Sequence, residues 1–303
     1  MDRSAWAAWF ARGPVLLDGA TGTELERRGA GCLPPLWSAA ALRDAPESVA
    51  AIHRAYMAAG ADILVANTFR TNPRTLARAG RLDEGPALCR RAVELARSAA
   101  AEAAPGRRVL VAASVAPVED CYSPERAPDD AALQEEHRQN ADWLAGAEPD
   151  LLWIETMGTA REARAAAEAA VACGLPCVVS FTARESGELL GGDPLEAACA
   201  AVAPFGPLAL GLNCVPPRGV TELLPRLRRA TAGPIAAYAH INNAVPTRGW
   251  SYAQAVTPEE YAQEALRWLS VGANIIGGCC GTTPAHIAAL RGMLDAHQFA
   301  TAR

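Results

Sequence analysis

Three of the nine cysteines in this 303-residue chain stand in contexts suited to metal chemistry. Cys214 follows Asn213 at the end of an apolar run, and Cys279 and Cys280 are adjacent, with Gly277-Gly278 before them and Gly281 after. Neighbours in an ideal strand point to opposite faces. Both thiols therefore reach one ion only where the strand breaks into a turn, and the glycines supply the backbone freedom for that. Three thiolates select a soft or borderline cation, above all Zn²⁺ with sulfur at about 2.3 Å, and leave a fourth tetrahedral position open, as in catalytic zinc sites. On spacing alone, the alternatives are three buried thiols or a vicinal disulfide at Cys279–Cys280.

Three thiolates on a divalent ion leave a net charge of about −1, which makes the ion a weak Lewis acid towards water. A substrate thiol suits it better. Free thiols have a pKa of about 8.5, and coordination removes the proton while the electron-rich centre keeps the sulfur nucleophilic. The natural reaction is attack on a methyl group held by a positive heteroatom, which leaves the protein the task of aligning donor and thiolate. Asp18 and Glu155 end two other apolar runs. Either acid alone is as easily an arginine partner or a helix cap, but two converging on one mouth suit the ammonium of an amino-acid substrate.

The elements that must position these groups are rhythmic. Apolar, β-branched runs at 15–20, 62–69, 109–115, 151–157, 177–182, 208–215, 235–240 and 273–280 alternate with stretches of helical period. Most runs are almost continuously apolar, as in parallel strands buried on both faces. Thr159–Glu162 and Thr257–Glu260 read as capping boxes, Asp193-Pro194 and Thr283-Pro284 as helix starts, and Gly174 as a helix stop. With no break in composition, residues 1–303 read as one α/β domain, a (β/α)8 barrel, with an open doubly wound sheet as the alternative. In a barrel, the strand-six and strand-eight ends are separated by one strand and share the catalytic rim. Residues 21–46 and 116–130 are long enough to be site loops.

Composition narrows the partners. Half the residues are hydrophobic, which excludes disorder as the main state, and 28 Lys+Arg against 33 Asp+Glu give a net charge of −5 with no basic stripe. Neither nucleic acid nor a membrane surface is expected as a partner, no apolar run is long enough to span a bilayer, and nothing at the start reads as an export signal. An odd, sparse set of cysteines points to the reduced cytoplasm. Cys89, Cys173 and Cys199 read as helix-face residues and Cys177 as a strand start, while Cys32 and Cys121 fall in loops. His53 and His137 read as helix-face residues, and His286 stands too far past the cysteine pair for a ligand.

At these residues the chain resembles the homocysteine S-methyltransferase family. The match runs from Leu16-Leu17-Asp18-Gly19-Ala20-Thr21-Gly22-Thr23-Glu24-Leu25, through Asn67-Thr68-Phe69, Ile154-Glu155-Thr156 and Gly211-Leu212-Asn213-Cys214, to Gly277-Gly278-Cys279-Cys280-Gly281-Thr282-Thr283-Pro284. The resemblance implies a (β/α)8 barrel and one zinc ion on Cys214, Cys279 and Cys280. It also implies homocysteine sulfur at the open position, with Asp18 and Glu155 holding the amino acid. Thr21, Asn67, Asn213 and Tyr238 complete the expected substrate-binding set. Leu36-Trp37-Ser38 resembles the branch that uses S-methylmethionine. The strand-seven end, Tyr238-Ala239-His240-Ile241-Asn242-Asn243, departs from the family pattern by placing His240 where asparagine is expected. It and the loop from Ala116 to Tyr122 are expected to face the methyl donor.

The expected activity is methyl transfer to homocysteine from S-methylmethionine or S-adenosylmethionine, giving methionine. No Gly-x-Gly-x-x-Gly loop follows a strand, so an adenosyl donor would be held in some other way. One alternative keeps the zinc but changes the thiol or selenol acceptor, or uses a betaine-like donor caged by Trp37, Tyr122, Trp153 or Tyr238. Another is a non-catalytic zinc- or thiol-binding barrel, against which the intact pair of acids argues.

Overall fold

The computed structural model describes residues 3–10, 12–30, 32–103, 106–241 and 255–301. Eight parallel strands form it: β1 (Val15–Leu16), β2 (Ile63–Ala66), β3 (Leu110–Val115), β4 (Leu151–Met157), β5 (Cys177–Phe181), β6 (Ala209–Asn213), β7 (Ile235–Ala239) and β8 (Ile275–Gly278). They are ordered β1-β8-β7-β6-β5-β4-β3-β2. A parallel bridge between Leu17 and Ile63 joins the two ends. The fold is therefore a (β/α)8 barrel, and the open doubly wound alternative is set aside. At this seam β1 is only two residues long. Asp62 reinforces it, accepting from the Leu16 amide at 2.9 Å and pairing with Arg291 at 2.6 Å and Arg107 at 3.0 Å.

Period-two alternation divides each strand between two cores. Val15, Leu17, Ile63, Leu110, Ala112, Leu151, Trp153, Val178, Ala209, Ala236, Tyr238 and Ile275 fill the barrel. Their neighbours, such as Leu16, Leu64, Val111, Leu152, Val179 and Ile276, pack outward against the helices. Continuing the inward series reaches Ser114 and Glu155 two residues on from Ala112 and Trp153, and Asn213 and Cys279 four residues on from Ala209 and Ile275. The polar site is thus the uppermost interior layer.

The strands are shorter than their apolar runs because the rim residues turn away into loops. Thr257 and Glu260 form the expected capping box, and Gly174, at φ 77°, follows the helix Ala160–Ala172. Two helix starts differ from expectation. Thr159 does cap Glu162, but the Glu162 carboxylate instead accepts from the Val118 amide at 2.8 Å, anchoring the loop after β3. Asp193 accepts from the Ala160 amide, and the next helix begins at Leu195.

The sequence reading gave no role to the helix Arg3–Phe10. Its Trp6, Trp9 and Phe10 are buried against the first inward layer and plug the end opposite the site. Removing the Trp6 indole should destabilise the barrel by about 3–5 kcal/mol. Urea unfolding of Trp6→Ala tests this, and an unchanged midpoint would mean the helix is not part of the core.

Candidate active site

The C-terminal mouth of the barrel holds a cavity of about 230 Å³. Asp18, Thr21, Asn67, Glu155, Tyr238, Cys214, Cys279 and Cys280 all line it, whereas Asn213 does not. Trp37 and Tyr122 also line it, but Trp153 lies beneath, donating from Nε1 to the Tyr238 hydroxyl at 2.8 Å.

The three sulfurs meet through local backbone devices. Cys214 leaves β6 in the left-handed region at φ 52°, a conformation uncommon outside glycine. Thr156 does the same at φ 60°, where β4 shifts register between Ile154 and Met157. Asn213, fully buried, braces these departures. Its Oδ1 accepts from the Thr156 amide and its Nδ2 donates to Thr156 Oγ1, both at 2.8 Å, and Nδ2 lies 3.7 Å from Cys279 Sγ. On β8 the strand ends just before Cys279, and Cys280 begins a turn, so both thiols face the cavity. Gly281, at φ 82°, supplies the expected freedom. Gly277 and Gly278 serve a different purpose, which is close approach. A Cβ at Gly277 would lie 2.6 Å from Leu17 Cβ, and one at Gly278 would lie 2.8 Å from Thr282 Cβ.

Cys214 Sγ lies 2.8 Å from Cys279 Sγ and 3.5 Å from Cys280 Sγ, and all three sulfurs lie within 4.8 Å of one another. All are free thiols, too far apart for a disulfide at about 2.05 Å. Sulfurs sharing a tetrahedral ion at about 2.3 Å would stand roughly 3.8 Å apart, so this donor set fits one thiophilic metal ion. Burial opposes ionisation of Cys279, but hydrogen bonds from Cys214, Cys280 and Asn213 outweigh it and hold this thiol well below the usual range. Bonding to Cys279 raises Cys214, and bonding to Cys214 and then to Cys279 raises Cys280. The Tyr122 hydroxyl donates to Cys214 Sγ at 3.3 Å.

Two carboxylates face the same space. Asp18 Oδ2 accepts from the Val65 amide at 2.9 Å, and Glu155 Oε1 accepts from Ser114 Oγ at 2.5 Å. Neither forms an ion pair among the described residues. Burial, with the Glu155 charge adding to it, pushes Asp18 well above the usual carboxylate range. Burial and the Cys279 charge push Glu155 up to about 8, against the Ser114 and Tyr238 hydrogen bonds. Such a pair accepts an ammonium group readily, because the cation supplies the charge that the protein withholds.

The four histidines with described side chains stand apart from this chemistry. His240 is buried outside the cavity, and burial lowers it to about 4. His286 contacts Thr283 and the Val256 carbonyl, and His53 and His137 are buried within helices. Asn242 and Asn243 lie outside the described residues. Cys121 proves to be buried at the cavity wall, with burial pushing its thiol up to about 12. The sequence reading passed over Arg70, and it quoted Thr156 and Thr282 within motifs without giving either a role of its own. The register shift at Thr156 leaves no trace in residue type.

A thiol cluster and paired acids thus line the mouth of a (β/α)8 barrel, the end at which enzymes of this fold carry their chemistry. Comparison with known proteins gives the family. Residues 15–294 match the homocysteine S-methyltransferase family, and the chain belongs to it. It is 36% identical to homocysteine S-methyltransferase of Escherichia coli, over 91% of this chain and 94% of that one. It is 31% identical to selenocysteine methyltransferase of Astragalus bisulcatus, over 95% and 94% respectively. The metallated form of the Escherichia coli homocysteine methyltransferase superposes with a TM-score of 0.82 at 33% identity, covering 94% of this chain and 98% of that one. The chain is thus a methyltransferase. Among the described residues, no helix is long and apolar enough to cross a membrane.

The Glu155 environment carries a pH signature in the substrate-free, metal-free protein. Folded Glu155 keeps its proton up to about 8, whereas the unfolded carboxyl releases it near 4.5. Between these values the unfolded state binds fewer protons, so stability falls as pH rises. Glu155→Gln should lessen the fall in melting temperature between about pH 5 and pH 8. An equal or steeper fall in the variant would contradict this assignment.

Proposed function

We propose that this chain transfers a methyl group from a sulfonium donor to the sulfur of L-homocysteine, giving methionine. Cys214, Cys279 and Cys280 hold one zinc ion, and Asp18 and Glu155 receive the ammonium of homocysteine. The observation that carries this reading is the opening of three clustered thiols and two unpaired, buried carboxylates onto one cavity. When bound, zinc lowers the pKa of a substrate thiol so that the nucleophilic thiolate is present at neutral pH.

The remaining work falls to the chain. Ser114 fixes one oxygen of Glu155, and the Val65 amide fixes one of Asp18, which leaves their other oxygens for the ammonium. Thr21, Asn67 and Tyr238 wall the pocket around the amino acid. Asn213 acts from behind by holding the Cys214 and Thr156 turns. In the displacement, the acceptor sulfur forms a bond to the methyl carbon as the donor's carbon–sulfur bond breaks. The electron pair of that bond returns to the departing sulfur, which leaves as a neutral thioether. No proton is needed at the donor, in keeping with a buried, neutral His240 outside the cavity.

S-methylmethionine suits the cavity better than S-adenosylmethionine. Its volume of about 230 Å³ is below the roughly 300–1,000 Å³ typical for larger ligands, and the smaller donor lacks the nucleoside. The relative named as a selenocysteine methyltransferase makes a selenol the competing acceptor. The free thiols require a reducing setting, and the cytoplasm provides one.

Zinc-replete protein assayed with homocysteine and S-methylmethionine, S-adenosylmethionine or betaine should form methionine fastest from S-methylmethionine. Cys280→Ala should reduce this below detection. Absence of methionine with all three donors, or full activity in the variant, would overturn the reading.

A further inference from the structure

The ionisable lining of the cavity is lopsided. Asp18, Asp120 and Glu155 line it together with the three thiols, and Arg70 is the only cationic side chain lining it among the described residues. Asp120 is engaged within its own turn, accepting from the Tyr122 amide and Ser123 hydroxyl, both at 3.1 Å. Arg70 is half-buried, with its guanidinium 5.1 Å from the Phe69 ring centroid. Among the described residues, its one hydrogen bond goes from Nη1 to the Glu119 carbonyl at 3.1 Å, and it forms no ion pair with a carboxylate.

The protein has an acid nearby and directs it elsewhere. The Glu119 carboxylate binds Arg78 and Arg74, and Arg74 also pairs with Glu136. The two other arginines of this segment are therefore neutralised, while Arg70 keeps its charge and most of its five donors. Arg70 follows β2, which stands four strands from β6 in the closed order, so it lies across the mouth from Cys214. A planar guanidinium held by stacking and one carbonyl is prepared for a two-pronged grip on a carboxylate.

We infer that Arg70 anchors the carboxylate of the methyl donor, selecting donors that carry a carboxylate at the end away from the transferable methyl. The positive sulfonium then faces the thiols on the far side of the mouth, and the carboxylate faces Arg70. This inference rests on the reading that the cavity takes a zwitterionic sulfonium donor.

The test measures calorimetric binding of S-methylmethionine and its decarboxylated analogue, (3-aminopropyl)dimethylsulfonium, to the zinc-loaded wild type, Arg70→Gln and Arg70→Lys. Steady-state kinetics for both substrates, melting temperature and zinc content are followed in parallel. Arg70→Gln should weaken S-methylmethionine binding and raise its KM by about tenfold or more. Affinity for the analogue, the homocysteine KM, kcat, melting temperature and zinc content should change little. Lysine should recover part of the loss, since it keeps the charge but not the fork. Equal binding of S-methylmethionine by the wild type and Arg70→Gln would overturn the inference. A rise confined to the homocysteine KM would also overturn it, by assigning Arg70 to the acceptor. Weakened donor binding in a protein that forms no methionine would support Arg70 and overturn the proposed function.

Discussion

Three sulfur atoms must meet although they come from two strands that are not neighbours, and much of the site's local geometry follows from this constraint. β6 and β8 are separated by β7, so the thiols converge only by leaving the strands. Cys214 does so in a left-handed conformation, and Cys279-Cys280 do so at a strand end followed by a left-handed glycine. Non-glycine residues in that region carry strain of order 1–3 kcal/mol, which persists only where the surroundings over-determine it. Asn213 supplies that determination. One amide engages both the backbone and the hydroxyl of Thr156 and reaches towards Cys279. The register shift in β4 and the turn after β6 are thereby one unit, and Glu155 sits beside the first of them.

Electrostatics gives this geometry its purpose. The cavity gathers acidic groups and opposes the charge of most of them: a thiol held well below its ordinary range stands with two acids that burial keeps protonated, without counter-ions among the described residues, and a further acid at the wall. Such an arrangement costs stability, as functional sites commonly do. Each proposed ligand relieves part of it: a divalent cation among the thiols, an ammonium between the acids, and a sulfonium near the acceptor sulfur. The loop after β3 encloses this space. It is pinned by Glu162 at Val118 and by the Glu119–arginine network, and it brings Tyr122 to Cys214. Arg70 stands out in this setting as a positive charge with no acid paired to it among the described residues.

The sequence was legible wherever residue type reports burial or coordination. Apolar runs located all eight strands because both faces of a barrel strand are covered. The cysteine context located the sulfur cluster, and the acids at two other strand ends located further polar residues of the same pocket. What was hidden depends on partners distant in sequence. Nothing local marks Glu162 as a ligand of the Val118 amide rather than a cap, or Gly278 as making room for Thr282 rather than supplying flexibility. Asn213 looked like a substrate contact because it precedes a cysteine, and its orientation towards Thr156 depends on a register shift that no motif announces. The helix Arg3–Phe10 is too short to declare itself, although its aromatic residues close the barrel.

The most direct test of this account is zinc K-edge absorption on the purified protein, with and without L-homocysteine. The account predicts one zinc per chain with a first shell of three sulfurs, at about 2.3 Å, rising to four when homocysteine is added, and loss of a protein sulfur in Cys214→Ser. A first shell built mainly of nitrogen or oxygen, or one that homocysteine leaves unchanged, would contradict it.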